Sequence, residues 1–135
     1  MIHSLRIYKI IPMRKLLVIL CSMLFLFACQ QEDKTPLLMG TWKGASWTVA
    51  GKDSGRKASN VRFEFKNDNT YTAAFEGDKE AGTFRLRGDG KLFTTEKGGA
   101  KIEKATKLAK ITPDTLIMNM NRAGDNEQLV LVKVK

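Results

Sequence analysis

Few side chains in this 135-residue sequence could act as nucleophiles, general bases or soft metal ligands. The sequence contains two cysteines, Cys21 and Cys29, and one histidine, His3. Ser-His-Asp catalysis, Cys-His catalysis and histidine-based metal sites all need imidazole or thiol groups. The chain after Cys29 supplies neither group, so we expect no enzymatic activity, no metal site and no cofactor.

The first 28 residues have the organisation of a signal peptide. Arg14 and Lys15 precede thirteen uncharged and largely apolar residues, 16–28, and none of the first 28 residues is acidic. A membrane-spanning helix needs roughly 20 apolar residues, whereas a basic start, a short apolar run and a final small residue are typical of a secretory signal. We predict that residues 1–28 are removed. Met13 is an alternative start, since Met13-Arg14-Lys15 also makes a normal signal opening.

The segment Leu26-Phe27-Ala28-Cys29 resembles the lipobox of bacterial lipoproteins. The resemblance implies that the Cys29 thiol is acylated, so that palmitate labels it, and that the lipid anchors the protein in the cell outer membrane. Glu32-Asp33 resembles the short export tag of surface-exposed lipoproteins. A merely polar tether over residues 29–36 explains these acidic residues equally well.

The net charge has to be considered for the segment that remains after cleavage. The full chain has 23 Lys and Arg against 14 Asp and Glu, a formal charge of +9. Four of the basic residues belong to the predicted signal peptide, so the mature chain carries +5. A basic composition is typical of nucleic-acid binders. A tethered envelope domain does not meet genomic nucleic acid, however, so we expect no nucleic-acid partner.

Residues 37–135 have the pattern of one all-β domain. Alternating apolar and polar residues are separated by turn signals about every 8–12 positions, which indicates a sandwich or barrel. Residues 60–66 alternate most clearly, and Asn67-Asp68-Asn69 follows as a tight turn. Residues 101–112 also fit helical spacing. We interpret them as a bulged strand, which gives eight strands in an antiparallel up-and-down meander.

Four short motifs occur in order along this domain: Gly40-x-Trp42, Phe63-x-Phe65-x-x-Asp68-x-x-Tyr71, Gly82-Thr83-Phe84 and the stretch from Leu108 through Pro113-Asp114-Thr115-Leu116. Together they resemble small bacterial lipocalin-like lipoproteins over residues 37–135. The resemblance implies that the meander closes into a lipocalin-like barrel of about eight strands that binds a ligand. It also implies a basic residue above the Trp42 ring, for which Arg122 is the candidate.

Period-two alternation assigns one face of each predicted strand, including Gly44, to the barrel interior. An eight-stranded barrel is just wide enough to fill with side chains or to hold one small ligand, so core packing and a pocket both remain open. Trp47 and Phe93 fall on the opposite face by alternation, which indicates a bulge or an exposed contact patch. The candidate ligand-binding residues are Trp42, Phe63, Phe65, Tyr71, Phe75, Phe84, Leu86, Met118 and Met120.

A basic stretch near the predicted bulged strand has two interpretations. It binds an anionic partner such as a glycan, or its lysines protect a strand edge from aggregation. The stretch contains one acid, Glu103, and the lysines Lys97, Lys101, Lys104, Lys107 and Lys110.

We therefore expect a membrane-anchored lipoprotein whose barrel binds a small hydrophobic or amphipathic ligand. The alternative is a protein-interaction module with a packed interior, either an inhibitor or an envelope-complex accessory. Such a module would contact an envelope protein through its outer surface.

Overall fold

The computed structural model describes residues 32–98 and 102–135, together with Pro12, Met13 and Lys15. Apart from those three positions, the predicted signal peptide lies outside the described residues, as does the predicted lipidation site Cys29. No helix in the described part of the chain has both the length and the apolar character that crossing a membrane requires. Residues 32–135 form a separate unit.

Nine antiparallel strands follow one another in this unit, and eight of them close into a barrel. Strand β1 pairs with the short β2, with β3 and also with β9, which closes the barrel. The predicted all-β meander and eight-stranded barrel are confirmed, with β2 as an additional short strand. The elements are α1 (Thr35–Leu38), β1 (Gly40–Val49), β2 (Lys52–Asp53), a 3₁₀ turn (Ala58–Asn60), β3 (Arg62–Phe65), β4 (Thr70–Phe75), β5 (Asp78–Leu86), β6 (Lys91–Glu96), β7 (Glu103–Ile111), β8 (Thr115–Arg122) and β9 (Asp125–Lys133).

Tight turns with positive φ join β3 to β4 and β8 to β9. Asn69 has φ 64° in the turn between β3 and β4, where Asp68 Oδ1 accepts a hydrogen bond from the Thr70 N–H at 3.0 Å. Between β8 and β9, Ala123 and Gly124 have φ 53° and 90°. Positive φ at both central residues matches the twist of the flanking strands. These two connections are therefore β-hairpins.

Within the predicted segment 101–112, residues 103–111 form a bulged strand, as predicted. Strand β7 pairs with β6 on one side and with β8 on the other, and its register shifts between Leu108 and Lys110. Because β7 is paired on both sides, the interpretation that its lysines protect an exposed edge is wrong. Lys104, Lys107 and Lys110 are all exposed, and Lys104 also contributes to the cavity at the open end of the barrel.

A β-bulge in β1 turns Trp47 into the barrel. The register between β1 and β9 shifts between Gly44 and Ser46, and one extra residue reverses the alternation of side chains. Trp47 is only 5% exposed, and its ring centroid lies 6.4 Å from that of Phe75. The bulge interpretation is therefore confirmed for Trp47. Phe93 is half-buried on the outer face of the barrel.

One end of the barrel is closed by α1 and by side chains packed around Trp42. Trp42 is fully buried, and its Nε1–H donates to the Leu38 carbonyl at 2.8 Å. Lys133 Nζ lies 4.5 Å from the centroid of the Trp42 ring and donates to the Met39 carbonyl. The expectation that Arg122 is the basic residue over Trp42 is wrong. Arg122 lies at the other end of the barrel, beside the turn between β8 and β9.

Candidate ligand cavity

The end of the barrel opposite α1 contains a cavity of about 630 Å³. This volume lies within the range of roughly 300–1,000 Å³ that is typical of small-molecule sites. The barrel is therefore packed at one end and open at the other. The cavity is lined by Trp47, Arg56, Phe63, Phe75, Glu76, Asp78, Glu80, Leu92, Thr94, Lys104, Thr106, Met118, Met120 and Arg122.

The predicted ligand-binding residues divide between this cavity and the packed core. Those that line the cavity are Phe63, Phe75, Met118 and Met120. All nine belong to the core or pack against it, but five do not line the cavity: Trp42, Phe65, Tyr71 and Phe84, which are buried, and Leu86, which is half-buried. Four of the predicted ligand-binding residues thus lie together in the cavity wall, and the other five lie elsewhere in the interior. Their contact with a ligand stays a prediction.

Aromatic rings connect the cavity wall to the core. Phe75 lies edge-on to Phe63, with 5.3 Å between ring centroids, and Phe63 stacks on Phe65 at 5.8 Å. Phe65 in turn lies edge-on to Phe84 at 5.1 Å. Rings at about 4.5–7 Å in these orientations attract one another beyond the effect of apolar burial. This contiguous set of rings gives the cavity an apolar wall that is supported from behind.

Three polar side chains link β4, β5 and β7, from the buried Tyr71 to Lys104, whose side chain is 55% exposed. The Tyr71 hydroxyl donates to Glu80 Oε1 at 3.0 Å, and Lys104 Nζ donates to Glu80 Oε2 at 3.2 Å. Burial of Tyr71, followed by the negative charge of Glu80 and the hydrogen bond to it, raises the pKa of Tyr71 from 10.0 to about 12. The Tyr71 hydroxyl thus holds Glu80, and Glu80 in turn holds Lys104, at the cavity wall.

We expect Tyr71 to titrate near pH 12 in the folded domain. It is the only tyrosine in residues 32–135, so tyrosinate absorbance of this fragment reports on it alone. The folded state binds this proton more tightly than the unfolded chain, in which tyrosine ionises near pH 10. Its contribution to stability is therefore complete below about pH 10 and is lost as the pH rises towards 12. A native midpoint near pH 10 would contradict the described environment, and Tyr71→Phe should abolish the absorbance change.

Charged side chains surround the open end of the barrel. The guanidinium carbon of Arg56 lies 4.8 Å from the centroid of the Trp47 ring. Arg122 Nε lies 3.8 Å from Glu127 Oε1, and Glu127 is 5% exposed although it is charged. Glu127 is absent from the predicted interior. Counting back by two from the buried Leu129 identifies it as an inward-facing position.

Leu92, Thr94 and Thr106 also line the cavity without belonging to the predicted set. The same alternation that puts Phe93 outside puts its two neighbours inside, so the sequence contains a signal for Leu92 and Thr94. Arg56 lies in the connection between β2 and the 3₁₀ turn. Alternation along strands carries no information about such a residue.

A smaller groove of about 420 Å³ crosses the outer face of β3, β4 and β5. Its lining includes the short side chains of Thr72, Ala74 and Ala81, together with Arg62 and Lys79. The cavity inside the barrel is larger and has the aromatic wall that the outer groove lacks. Among the described residues, no three His, Cys, Asp or Glu side chains are placed to hold a metal ion.

Comparisons with known proteins match this architecture. A lipocalin-like protein from Bacteroides uniformis ATCC 8492 has a TM-score of 0.55 at 15% sequence identity, covering 73% of this chain and 99% of that one. An uncharacterized protein from Bacteroides eggerthii DSM 20697 has a TM-score of 0.55 at 15% identity, covering 71% and 98%. A duf4847 family protein from Bacteroides vulgatus ATCC 8482 has a TM-score of 0.53 at 11% identity, covering 77% and 99%. At these identities the likeness concerns the fold alone. No curated protein gives a significant sequence match.

The sequence profile of the lipocalin-like domain matches residues 38–118. The match begins at Leu38 in the closed end of the barrel and ends at Met118 in the cavity wall. It covers more than half of the chain. The chain therefore belongs to the lipocalin-like domain family.

Proposed function

We propose that this domain binds one small hydrophobic or amphipathic ligand in the open end of its barrel, and that it is a binding protein and not an enzyme. The observation that carries the proposal is the unequal filling of the interior, which is packed around Trp42 and leaves about 630 Å³ at the other end. The rings of Phe63 and Phe75 suit the hydrocarbon part of a ligand. The polar side chains around the open end suit its polar end.

The cavity argues against the alternative of a protein-interaction module with a packed interior. The outer aromatic residue Phe93 gives little support to that alternative. Its ring centroid lies 4.4 Å from the guanidinium carbon of Arg85 and 5.8 Å from that of Arg87. These side chains cover part of the ring that a protein partner would contact. Binding of an anionic glycan or an envelope protein to the outer surface stays a prediction.

Filling the cavity tests the proposal. Residues 32–135 contain the core from Leu38 to Leu131 and form a separate unit, so this fragment can be studied without detergent. N-phenyl-1-naphthylamine, which fluoresces strongly in apolar sites, serves as the probe. Thr106 is half-buried and lines the cavity. Thr106→Phe should therefore weaken dye binding by at least about tenfold, or about 1.4 kcal/mol.

The matched control is Ala105→Phe, which adds the same ring one position earlier, on the exposed face of β7. It should leave the dye affinity unchanged. Circular dichroism and thermal unfolding establish that both variants are folded. The proposal fails if the unsubstituted fragment does not bind the dye, or if both variants weaken binding equally.

We also propose that Cys29 carries the lipid that anchors the domain to the outer membrane. Support comes from the sequence around Cys29 and from the apolar run before it. Cys29→Ala should abolish labelling by palmitate in cells and leave an unprocessed precursor, whereas Cys21→Ala should leave labelling intact. Several acyl chains hold a protein stably at a membrane, whereas one does so only marginally. Continued labelling of Cys29→Ala would refute lipidation at this residue.

A further inference from the structure

Two buried polar atoms at the open end of the barrel have no hydrogen-bond partner among the described residues. They are Trp47 Nε1 and Glu127 Oε2, and each residue is 5% exposed. A buried polar group without a partner destabilises the folded state, and a charged group does so more strongly. The indole N–H is only a donor and the carboxylate oxygen only an acceptor. A group that both accepts and donates would therefore satisfy both atoms.

Trp47 and Glu127 are both buried and occupy neighbouring positions in the ladders beside the cavity. Trp47 lines the cavity, and Glu127 lies directly opposite Met120, which also lines it. In the ladder between β1 and β9, Trp47 is opposite Leu129, two residues from Glu127. Diagonal neighbours of this kind are within reach of aromatic and long side chains. The register therefore brings both side chains next to Met120, whose side chain lines the cavity.

Arginine side chains lie over both positions without satisfying these atoms. Arg56 lies over the indole ring of Trp47, and an arginine has no acceptor for the indole N–H. Arg122 Nε is 3.8 Å from Glu127 Oε1, which is beyond hydrogen-bond distance. Both arginines are exposed at the cavity mouth. Their long side chains can rotate outwards when a ligand enters.

The charges at the mouth favour a neutral head group over a fatty-acid carboxylate. Arg122 is opposed by Glu127, and Lys104 is opposed by Glu80 at 3.2 Å. A carboxylate placed beside Glu127 would bring a second negative charge to a buried carboxylate, which is unfavourable. A hydroxyl group carries no charge and supplies one donor and two acceptor lone pairs.

We propose that the ligand of this cavity is an apolar molecule with a neutral hydroxyl head group, an inference that rests on the proposed function. The hydroxyl oxygen accepts from Trp47 Nε1–H, and the hydroxyl hydrogen is donated to Glu127 Oε2. The hydrocarbon part lies against Phe63, Phe75 and Met118.

Two isomeric probes test this assignment. 1-Decanol and 1-methoxynonane have the same atoms, but the ether cannot donate a hydrogen bond. In competition with N-phenyl-1-naphthylamine, residues 32–135 should bind 1-decanol about tenfold more tightly than the ether, because a hydrogen bond to a charged acceptor is among the stronger ones. Decanoate should bind more weakly than 1-decanol.

Two substitutions separate the two hydrogen bonds. Glu127→Gln replaces the charged acceptor by a neutral amide, so the preference for the alcohol should fall to about twofold or less. Trp47→Phe removes the N–H from which both isomers accept, so it should weaken both and keep the preference. The control Glu103→Gln removes an exposed acid that pairs with Arg85 and should change neither affinity.

Equal affinity for the two isomers, tight binding of decanoate, or an unchanged preference in Glu127→Gln would overturn the hydroxyl assignment. Dye binding that is sensitive to Thr106→Phe would then still support the proposed function. Absence of dye binding would overturn the proposed function and the hydroxyl assignment together.

Discussion

Replacing Trp42 by alanine should lower the free energy of unfolding of residues 32–135 by about 3–5 kcal/mol, the range for deleting a large aromatic side chain from a core. Trp42 is fully buried at the closed end. Its removal leaves a void there and takes the indole donor away from the Leu38 carbonyl. It also removes the ring over which the Lys133 amine lies. This decrease is a large part of the total free energy of unfolding, which is about 5–15 kcal/mol for a typical domain.

Denaturant unfolding of the fragment measures this effect. Phe93→Ala is the matched control, because it deletes an aromatic side chain from the outer face of β6 and should cost much less. Trp42→Phe keeps most of the ring but loses the N–H, so its cost should lie between the two. A Trp42→Ala cost no greater than that of Phe93→Ala would contradict the role of Trp42 at the closed end.

Gly44→Ala should destabilise the domain by roughly 1–3 kcal/mol, the cost of overpacking a core. A glycine-to-alanine substitution within a strand usually increases stability, since glycine there is roughly 0.5–1 kcal/mol less favourable than alanine. At Gly44 we expect the opposite effect. A Cβ on Gly44 would lie 2.0 Å from the Ala58 carbonyl oxygen and 3.2 Å from Val61 Cβ. The 3₁₀ turn crosses β1 at this point, where the Gly44 N–H donates to the Val61 carbonyl at 2.9 Å. The two backbones would have to separate.

Lys43→Ala is the control for Gly44→Ala. Lys43 precedes Gly44 on β1 and is exposed, so its truncation should change stability by no more than about 0.5 kcal/mol. Denaturant unfolding of both variants makes the comparison. Unchanged or increased stability of Gly44→Ala would show that the 3₁₀ turn does not pack as closely on β1 as described.

Alternation along the sequence predicts most of the barrel for a physical reason. Side chains alternate between the two faces of a strand, so a strand with one solvent-exposed face can orient its apolar side chains in only two ways. A shift of the pairing register by one residue would expose all of them. The inward positions of Phe63 and Phe65 on β3 and of Met118 on β8 follow directly and are buried. The bulged strand within residues 101–112 follows from the need for a partner between β6 and β8.

Alternation could not predict features that depend on contacts between strands far apart in the sequence. The position of Trp47 depends on where the pairing of β1 with β9 shifts. The contact of Lys133 with Trp42 likewise forms across the closure of the barrel. The size of the cavity depends on the volumes of side chains from several strands. Alternation states only that those side chains face inwards.

Selective methyl labelling of methionine tests the central claim, that ligand binds in the open end of a barrel whose other end is packed. Residues 32–135 contain three methionines, Met39, Met118 and Met120. Met118 and Met120 line the cavity, whereas Met39 packs against the core at the closed end. Titration with N-phenyl-1-naphthylamine should shift the ¹³C-methyl resonances of Met118 and Met120 and leave that of Met39 unchanged. Dye binding that shifts Met39 alone, or none of the three, would contradict the account.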